Sequence, residues 1–290
     1  MRALLFVAVL GAPAVASGQS ATDEELIGPE ASEPPTAESP SATERKTRFY
    51  FRGGVVIVAP LEISQDATLD GIHGPASLAL QDGPIEGSGA QVDSSIIPGV
   101  IVGYVLPAWG GKIAIEAVLG LPFKLELKTT GTLATESLAP EALGIPTGAP
   151  PLGSELGTAK AAPPTITAVY RFDRKFGPVQ PYAGTGISIL FAFDEKVTNP
   201  ILTAVREPDF NIPPAPGLVI QGGLEARLFK QLYAMIDVKF VAGMLVRGKV
   251  SNIVVESPEL PLFEEVEVGS AQMNVWVNPL IVQAGVGYDF

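Results

Sequence analysis

The reactive side chains of this sequence limit the catalysis it could support. Its one histidine, His73, lies in the segment DATLDGIHGPAS between Asp70 and Ser77. These are the three residue types of a hydrolytic Ser–His–Asp triad. However, the sequence has no nucleophile elbow and no second histidine to complete a metal site. A single loop histidine is usually solvated, so we predict no catalytic residue, no metal and no cofactor.

Two groups of acidic residues could contact cations or lipopolysaccharide bridged by calcium. One is Asp194 with Glu195, and the other is Glu264, Glu265 and Glu267. Carboxylates in loops are solvated by default, and that is our expectation for both groups. The glycine-rich pieces at 184–186 and 285–287 lie inside predicted strands rather than between a strand and a helix, so they do not indicate nucleotide binding.

Charged residues inside the apolar segments follow a period of two. Glu225 and Arg227 lie two residues apart and so share one face of their strand, and the same holds for Asp237 and Lys239. Apolar residues occupy the alternate positions, on the opposite face. If such strands close into a cylinder, the charges converge inside it and must pair. We predict an ionic network in the lumen that fixes the barrel; the alternative is a polar gate on a permeation path. The predicted members are Arg52, Glu116, Arg171, Glu225, Arg227, Asp237 and Lys239.

The strands that would position these charges can be located from their alternation. The eight candidates are Thr47–Ala59, Ser95–Leu106, Lys112–Phe123, Thr165–Phe172, Pro181–Phe193, Leu218–Leu228, Leu232–Val246 and Val275–Phe290. Short links (PAWGG, DRKFGPVQ and FKQ) alternate with long connections at 60–94, 124–164, 194–217 and 247–274, in which we place no strand. This alternation predicts an all-β fold over residues 47–290: an eight-stranded antiparallel up-and-down transmembrane β-barrel with short periplasmic turns and long extracellular loops.

The last strand gives the clearest indication of a membrane barrel. Its segment VWVNPLIVQAGVGYDF alternates apolar residues with small and polar ones and ends on Tyr288 and Phe290. A terminal phenylalanine on such a strand resembles the sorting signal of bacterial outer-membrane barrels. We expect aromatic girdles at the membrane interfaces, formed by Tyr170, Phe172, Phe191, Phe193, Tyr288 and Phe290.

The amino-terminal residues read as export and tail segments. Residues 1–19 combine Arg2, an apolar stretch and a small-residue cleavage site near Ala16, which is typical of a signal peptide. Residues 20–46 are acidic and rich in Pro, Ser and Ala, so we predict a disordered periplasmic tail. Contact of this tail with peptidoglycan or a periplasmic partner is the alternative.

The composition excludes several classes of protein. There is no cysteine, so neither a disulfide framework nor a thiolate metal site is available. The formal net charge of −12 argues against binding nucleic acid, which requires basic surfaces. The mature chain has no apolar run approaching the roughly 20 residues of a transmembrane helix.

Several segments resemble the OmpW family of outer-membrane proteins. APPTITAVYRF (162–172) and VQPYAGTGISILF (179–191) are similar to the central hairpin of that family, and VNPLIVQAGVGYDF to its last strand. IAIEAVLGLPFKLELKTTG (113–131) resembles the third strand with its loop, and RFYFRGGVVIVAP (48–60) fits the first. The acidic tail and the length of the first two loops depart from the family pattern.

The resemblance implies passive permeation of small hydrophobic molecules across the outer membrane through a narrow lumen, with release sideways between strands as one route. Within that frame, residues that could line an apolar lumen or a lateral opening are Ile101, Val105, Val118, Leu119, Leu121 and Pro122. Pro122 would favour a local opening by removing a ladder donor, or would simply end the membrane part of its strand, which we prefer.

The expected partners follow from the same interpretation: outer-membrane lipid and lipopolysaccharide, the barrel-assembly machinery and small hydrophobic solutes. Two other classes of protein remain open. One is a structural or surface-recognition barrel with a plugged lumen, and the other is a soluble lipocalin-like carrier, also eight-stranded. A carrier would turn its apolar face inward and its charges toward water.

Overall fold

The computed structural model describes residues 48–173, 177–259 and 265–290. The predicted signal peptide and acidic tail lie outside these residues. The strands are β1 Phe49–Ala59, β2 Glu62–Ser64, β3 Ala67–Asp70, β4 Gly83–Ile85, β5 Ser88–Val92, β6 Ser95–Val105, β7 Ile113–Gly120, β8 Phe123–Gly131, β9 Glu141–Ala142, β10 Ile145–Pro146, β11 Glu155–Ala162, β12 Thr165–Arg171, β13 Val179–Val197, β14 Asp209–Asn211, β15 Ala215–Arg227, β16 Leu232–Ala242, β17 Met244–Glu256, β18 Glu265–Val277 and β19 Leu280–Asp289. The helical pieces are short: Gly74–Leu78, Ala108–Gly111 and Thr132–Thr135.

Eight of these strands form a closed antiparallel barrel. Their order is β12–β7–β6–β1–β19–β16–β15–β13, and pairing of β13 with β12 closes the ring. The first and last barrel strands pair over ten positions, from Tyr50 opposite Asp289 to Ala59 opposite Leu280. The predicted eight-stranded up-and-down barrel is therefore confirmed.

The two faces of the barrel wall divide as the alternation predicts. Ile220 and Val286 point outward and are 63% and 52% exposed, whereas Glu116 and Asp237 are 0% exposed inside. Aromatic side chains lie on the outer face at the short-turn end, where the Tyr170 and Phe172 rings pack edge to face with centroids 5.1 Å apart. The charges therefore face the lumen and the apolar side chains face outward.

Beyond the barrel, the long connections fold into β-structure rather than irregular loops. β13 continues past the ring and carries β11, β8 and β5, while β14, β17, β18, β3 and β4 form a separate sheet with β2 paired to β18. The expectation of strand-free long loops is wrong. Connections of this length contain many backbone polar groups that need partners, and β17 and β18 supply them for each other from Met244–Val277 to Glu256–Glu265.

Three predicted strands are interrupted where the barrel meets this extension. Lys112–Phe123 breaks at Leu121–Pro122, Leu232–Val246 breaks at Gly243, and Val275–Phe290 breaks at Asn278–Pro279. Gly243 has φ of 73°, a left-handed conformation, and its N–H donates to Asn278 Oδ1 at 2.9 Å. Each continuous prediction was wrong because alternation of side chains continues across the break while the direction of the chain changes.

Side chains rather than a backbone ladder connect the two sheets of the extension at β2 and β5. Ser64 Oγ accepts the Ala90 N–H at 2.8 Å, and Glu62 Oε1 accepts the Val92 N–H at 2.7 Å. Burial raises the pKa of Glu62; the nearby Asp93 carboxylate raises it further, and the Val92 N–H opposes the shift. This seam therefore depends on the charge of one half-buried carboxylate.

Candidate functional site: an apolar cavity above an ionic cluster

Arg52 occupies the centre of the barrel toward its short-turn end. Its Nη1 donates to Glu116 Oε1 at 2.7 Å, and its Nη2 bonds to Glu225 Oε1. Its Nε donates to the Tyr233 hydroxyl at 3.2 Å. The guanidinium is fully buried, so its charge is compensated entirely by protein groups.

Arg171 completes this pairing from the opposite wall. Its Nη2 lies 3.5 Å from Glu225 Oε1, and its guanidinium carbon lies 4.2 Å from the centre of the Tyr50 ring. Within the described residues, none of its three guanidinium nitrogens has a hydrogen-bond acceptor. Glu225 is therefore the counter-ion for two buried arginines.

Asp237 and Lys239 form the other half of the cluster. Asp237 Oδ2 accepts the Tyr182 hydroxyl and Gln221 Nε2, both at 2.7 Å, and Oδ1 bonds to Lys239 Nζ. Gln221 Nε2 also donates to Glu116 Oε2 at 2.8 Å, which joins the two halves. We call these six residues the ionic cluster: Arg52, Glu116, Arg171, Glu225, Asp237 and Lys239. Three cations face three anions, so the net charge is zero.

Arg227 does not join the ionic cluster, although its parity placed it there. Its Nη1 lies 2.8 Å from Asp289 Oδ2 near the short-turn end, and its side chain is 17% exposed. Two residues along a strand correspond to about 7 Å of rise, which separates Arg227 from the pairs around Glu225. The prediction that Arg227 belongs to the central network is corrected to a separate pair with Asp289.

Sequence reasoning missed Gln221 and the three tyrosines that connect the charges. Tyr50, Tyr182 and Tyr233 each lie on a glycine of the neighbouring strand, paired as Tyr50–Gly103, Tyr182–Gly223 and Tyr233–Gly287. A Cβ added to Gly103 would lie 1.9 Å from the Tyr50 ring. The three rings share the inward parity of the charges, which was the signal available for finding them.

An apolar cavity, here called the barrel cavity, lies on the side of the ionic cluster that faces the extension. Its volume is about 1170 Å³, including the part open to solvent. Apolar side chains from the barrel and the extension line most of it, among them Val56, Val118, Leu125, Val241, Met244 and Ile281. Four buried polar residues line its boundary: Thr165, Ser188, Lys239 and Gln283.

The residues expected at an apolar lumen or lateral opening take three different places. Val118 lines the barrel cavity, whereas Ile101 and Val105 are buried in the barrel but do not line that cavity. Ile101 pairs with Arg52, and Val105 packs with Tyr50 and Ala114 toward the short-turn end. Leu119 and Leu121 are 58% and 64% exposed on the outer face, which leaves them only the lateral-opening role.

The barrel wall is incomplete beside this cavity. Ser95–Pro98 of β6 pair with β1 on one side, but the ladder with β7 begins only at Gly99 opposite Gly120. β7 ends at Gly120, before Pro122, and Phe123 pairs with Ala161 of β11 instead. We call this stretch the wall window. Pro98 and Pro122 have no N–H, so the window exposes fewer unpaired donors.

A second apolar cavity, the extension cavity, lies within the sheets beyond the barrel. Its volume is about 840 Å³, including the part open to solvent, and its lining is apolar apart from Glu256. Leu69, Leu133, Leu156, Val250 and Met273 are among the lining residues. β17 contributes to both cavities, through Met244 and Val246 to one and Val250 to the other. One strand of the extension therefore lines both cavities.

The other polar residues considered from sequence do not form a site where the structure describes them; Glu264 lies outside the described residues. His73 Nε2 lies 3.8 Å from Glu267 Oε2, and Ser77 Oγ donates to Gly74 O rather than to the histidine. Lys160 Nζ lies 2.8 Å from Asp194 Oδ2, and this hydrogen bond and charge lower the pKa of Asp194. Across residues 48–173, 177–259 and 265–290, no acidic or histidine group has the arrangement of a metal site.

Comparison with known proteins supplies the family. The OmpW family model matches residues 46–290. The crystal structure of the outer membrane protein OprG from Pseudomonas aeruginosa superimposes with a TM-score of 0.62 at 22% identity, covering 85% of this chain and 97% of that one. The AlkL structure determined in DMPC bilayers gives 0.46 at 16% (93% and 97% covered), and Escherichia coli outer membrane protein W gives 0.43 at 17% (84% and 98%).

A comparison with curated protein sequences gave no match. In the described part of the chain, no helix has the length and apolarity needed to cross a bilayer. The OprG likeness supports the fold, and the family model covers almost all of the described chain. This chain therefore belongs to the OmpW family and is an outer-membrane β-barrel.

Proposed function

We propose that this protein is a non-enzymatic barrel that lets small hydrophobic molecules cross the outer membrane passively. The observation that carries the proposal is the apolar barrel cavity, which is lined by Val56, Val118 and Met244 and ends on Lys239 of the ionic cluster. Apolar solutes enter such a site favourably because apolar surface leaves water. Lipopolysaccharide presents a polar layer that these solutes cross slowly, so a protein-walled apolar path accelerates the step.

The ionic cluster determines where the solute leaves. Arg52 and Asp237 are fully buried, and every charge of the cluster has a partner within it. Separating buried ion pairs costs several kcal/mol, so a straight path to the periplasm is blocked. At the wall window, Ser95–Pro98 of β6 have no ladder with β7, and this interruption beside the cavity supports lateral release into lipid.

Two residues on opposite faces of β7 allow a matched test. Val118 lines the barrel cavity, whereas Ile115 is exposed on the outer face and pairs with Tyr104 of β6, away from the wall window. Val118→Trp fills cavity volume, so uptake of the dye N-phenyl-1-naphthylamine by cells with intact lipopolysaccharide should slow to the rate of cells lacking the barrel. Ile115→Trp adds the same ring outside and should leave uptake unchanged. Gel mobility that changes on boiling verifies that both variants fold. Equal uptake with and without the barrel would refute the proposal.

A surface-recognition barrel is the second candidate. The β9–β10 hairpin favours it, because Leu143 at its tip is 78% exposed and Ile145 is 53% exposed. Exposed apolar side chains on an extracellular hairpin are typical of a contact site. Replacing both with serine should abolish partner or phage adsorption under this candidate, and it should leave dye uptake intact under the first.

We also propose that Tyr288 and Phe290 form the signal read by the barrel-assembly machinery. Both rings are exposed on the outer face, packed edge to face with centroids 5.2 Å apart. Deleting Phe290 should lower the amount of heat-modifiable barrel in the outer membrane. An unchanged amount would remove the role of the terminal ring.

A further inference from the structure

The barrel cavity is not uniformly apolar, because buried polar side chains also line it. Lys239 and Gln283 line it and are 3% and 2% exposed. Thr165 and Ser188 also line it, with their hydroxyl oxygens 2.8 Å apart. A cavity that held only hydrocarbon would gain nothing from buried polar groups, which lose their hydration there.

Lys239 has hydrogen-bonding capacity to spare. An ammonium group has three N–H donors, and among the described residues Asp237 Oδ1 is the one acceptor that Lys239 Nζ contacts. The other oxygen of Asp237 is held by Tyr182 and Gln221, on the side of the ionic cluster. Lys239 lines the barrel cavity and Asp237 does not. The cavity therefore meets the positive end of this ion pair.

We infer that the preferred ligand of the barrel cavity is an apolar chain ending in a carboxylate, with that head group on Lys239. The inference rests on the proposed function and assigns a substrate class to its site. Charge-assisted hydrogen bonds between ammonium and carboxylate are the strong ones, and low dielectric strengthens them further. Ser188 and Gln283 also line the cavity; the Ser188 hydroxyl accepts from Thr165, and Gln283 Nε2 donates to Gly99 O at 3.2 Å.

Carbon-13 NMR of [1-13C]dodecanoate tests this with the full-length protein in nanodiscs. A head group on Lys239 gives a bound carboxyl resonance that stays ionised to lower pH than dodecanoate in empty nanodiscs. Methyl dodecanoate and dodecane, added at equal bilayer mole fraction, should displace it about tenfold less effectively than unlabelled dodecanoate, since one charged hydrogen bond is lost.

Variants separate the role of Lys239 from a folding defect. Lys239→Met alone would leave the buried Asp237 carboxylate without its counter-ion. The variant is therefore Asp237→Asn with Lys239→Met, which removes both charges together. It should abolish the tenfold preference while dodecane still competes. Lys239→Arg should retain the preference, and Lys160→Met, at an exposed lysine of β11, should not affect it.

The outcomes distinguish this inference from the proposed function. If dodecane displaces labelled dodecanoate as well as unlabelled dodecanoate does, or if the neutral double variant keeps the preference, the assignment to Lys239 is wrong and the permeation proposal stands. If neither dodecanoate nor dodecane occupies the cavity, the carboxylate assignment and the permeation proposal are both wrong. A preference that the double variant loses and Lys239→Arg keeps establishes the carboxylate site.

Discussion

Replacing Glu225 with glutamine tests whether the ionic cluster holds the barrel together. The carboxylate faces two cations, Arg52 through Nη2 and Arg171 at 3.5 Å. Arg52 keeps Glu116 at 2.7 Å as a second partner, but Arg171 has no other counter-ion within 4 Å among the described residues. Glu225→Gln therefore leaves a surplus positive charge centred on Arg171 in a fully enclosed space.

The size of the effect follows from this geometry. Removing one partner of a buried ion pair costs about 3–5 kcal/mol, since the remaining charge stays desolvated. Glutamine keeps an oxygen that can accept from Arg52, so we expect the lower end, about 3 kcal/mol. Arg171→Met in the Glu225→Gln background removes the stranded charge and should restore stability, with a coupling energy of about 1–3 kcal/mol.

Urea unfolding in phospholipid vesicles, followed by the fluorescence of Trp109 and Trp276, measures these free energies. Arg227→Met is the matched control, because Arg227 pairs with Asp289 instead of Glu225. The loss of unfolding free energy caused by Arg227→Met should add to that of Glu225→Gln, with a coupling energy near zero. Coupling energies near zero for Arg171, or equal for Arg171 and Arg227, would refute the assignment of Glu225 to the two central arginines.

Two further perturbations concern the tyrosine–glycine contacts and the extension seam. A Cβ on Gly287 would lie 2.3 Å from the Tyr233 ring, so Gly287→Ala should destabilise the barrel by about 1–3 kcal/mol in urea unfolding. Gly222→Ala, whose Cβ would have no atom nearer than 3.9 Å, should change the unfolding free energy by less than about 1 kcal/mol. Equal losses in the two variants would show that the contact between Gly287 and the Tyr233 ring is not the cause. Because the pKa of Glu62 is raised, the folded extension binds more protons than the unfolded chain, between the usual carboxyl value and the raised one. Protection of the Val92 amide, measured by hydrogen exchange corrected for intrinsic rate, should therefore fall as pH rises through that window. Glu62→Gln should abolish this dependence, and an unchanged pH profile in that variant would exclude Glu62 as the titrating group.

The orientation of side chains was predictable because a strand has only two faces. Parity alone placed Glu116, Asp237 and Lys239 inside and Ile220 outside, as the structure has them. The same rule was available for Tyr50 and Gln221, which have the inward parity but are not charged and so were not selected. Local alternation therefore contains the list of lumen residues, provided that every side-chain type on the inward face is read.

Partner choice was not predictable, because it depends on how far each strand is staggered around the ring. Sequence proximity suggested that Glu225 acts with Arg227, but the closed barrel brings Arg52 and Arg171 to it from β1 and β12. Closing a barrel fixes a shear between strands that no single strand encodes. A shift of two residues, about 7 Å, exchanges one ionic partner for another.

From the sequence alone came the eight strands, the alternation of short and long connections, and the face on which each charge lies, since all three depend on local periodicity. The tertiary structure decided the rest: the break at Gly243, the β-structure of the long connections, and the cavity next to the ionic cluster. These features arise where segments far apart in the chain meet. A cavity is the space that packed strands leave between them, so its shape and its lysine appear only when the ring is closed.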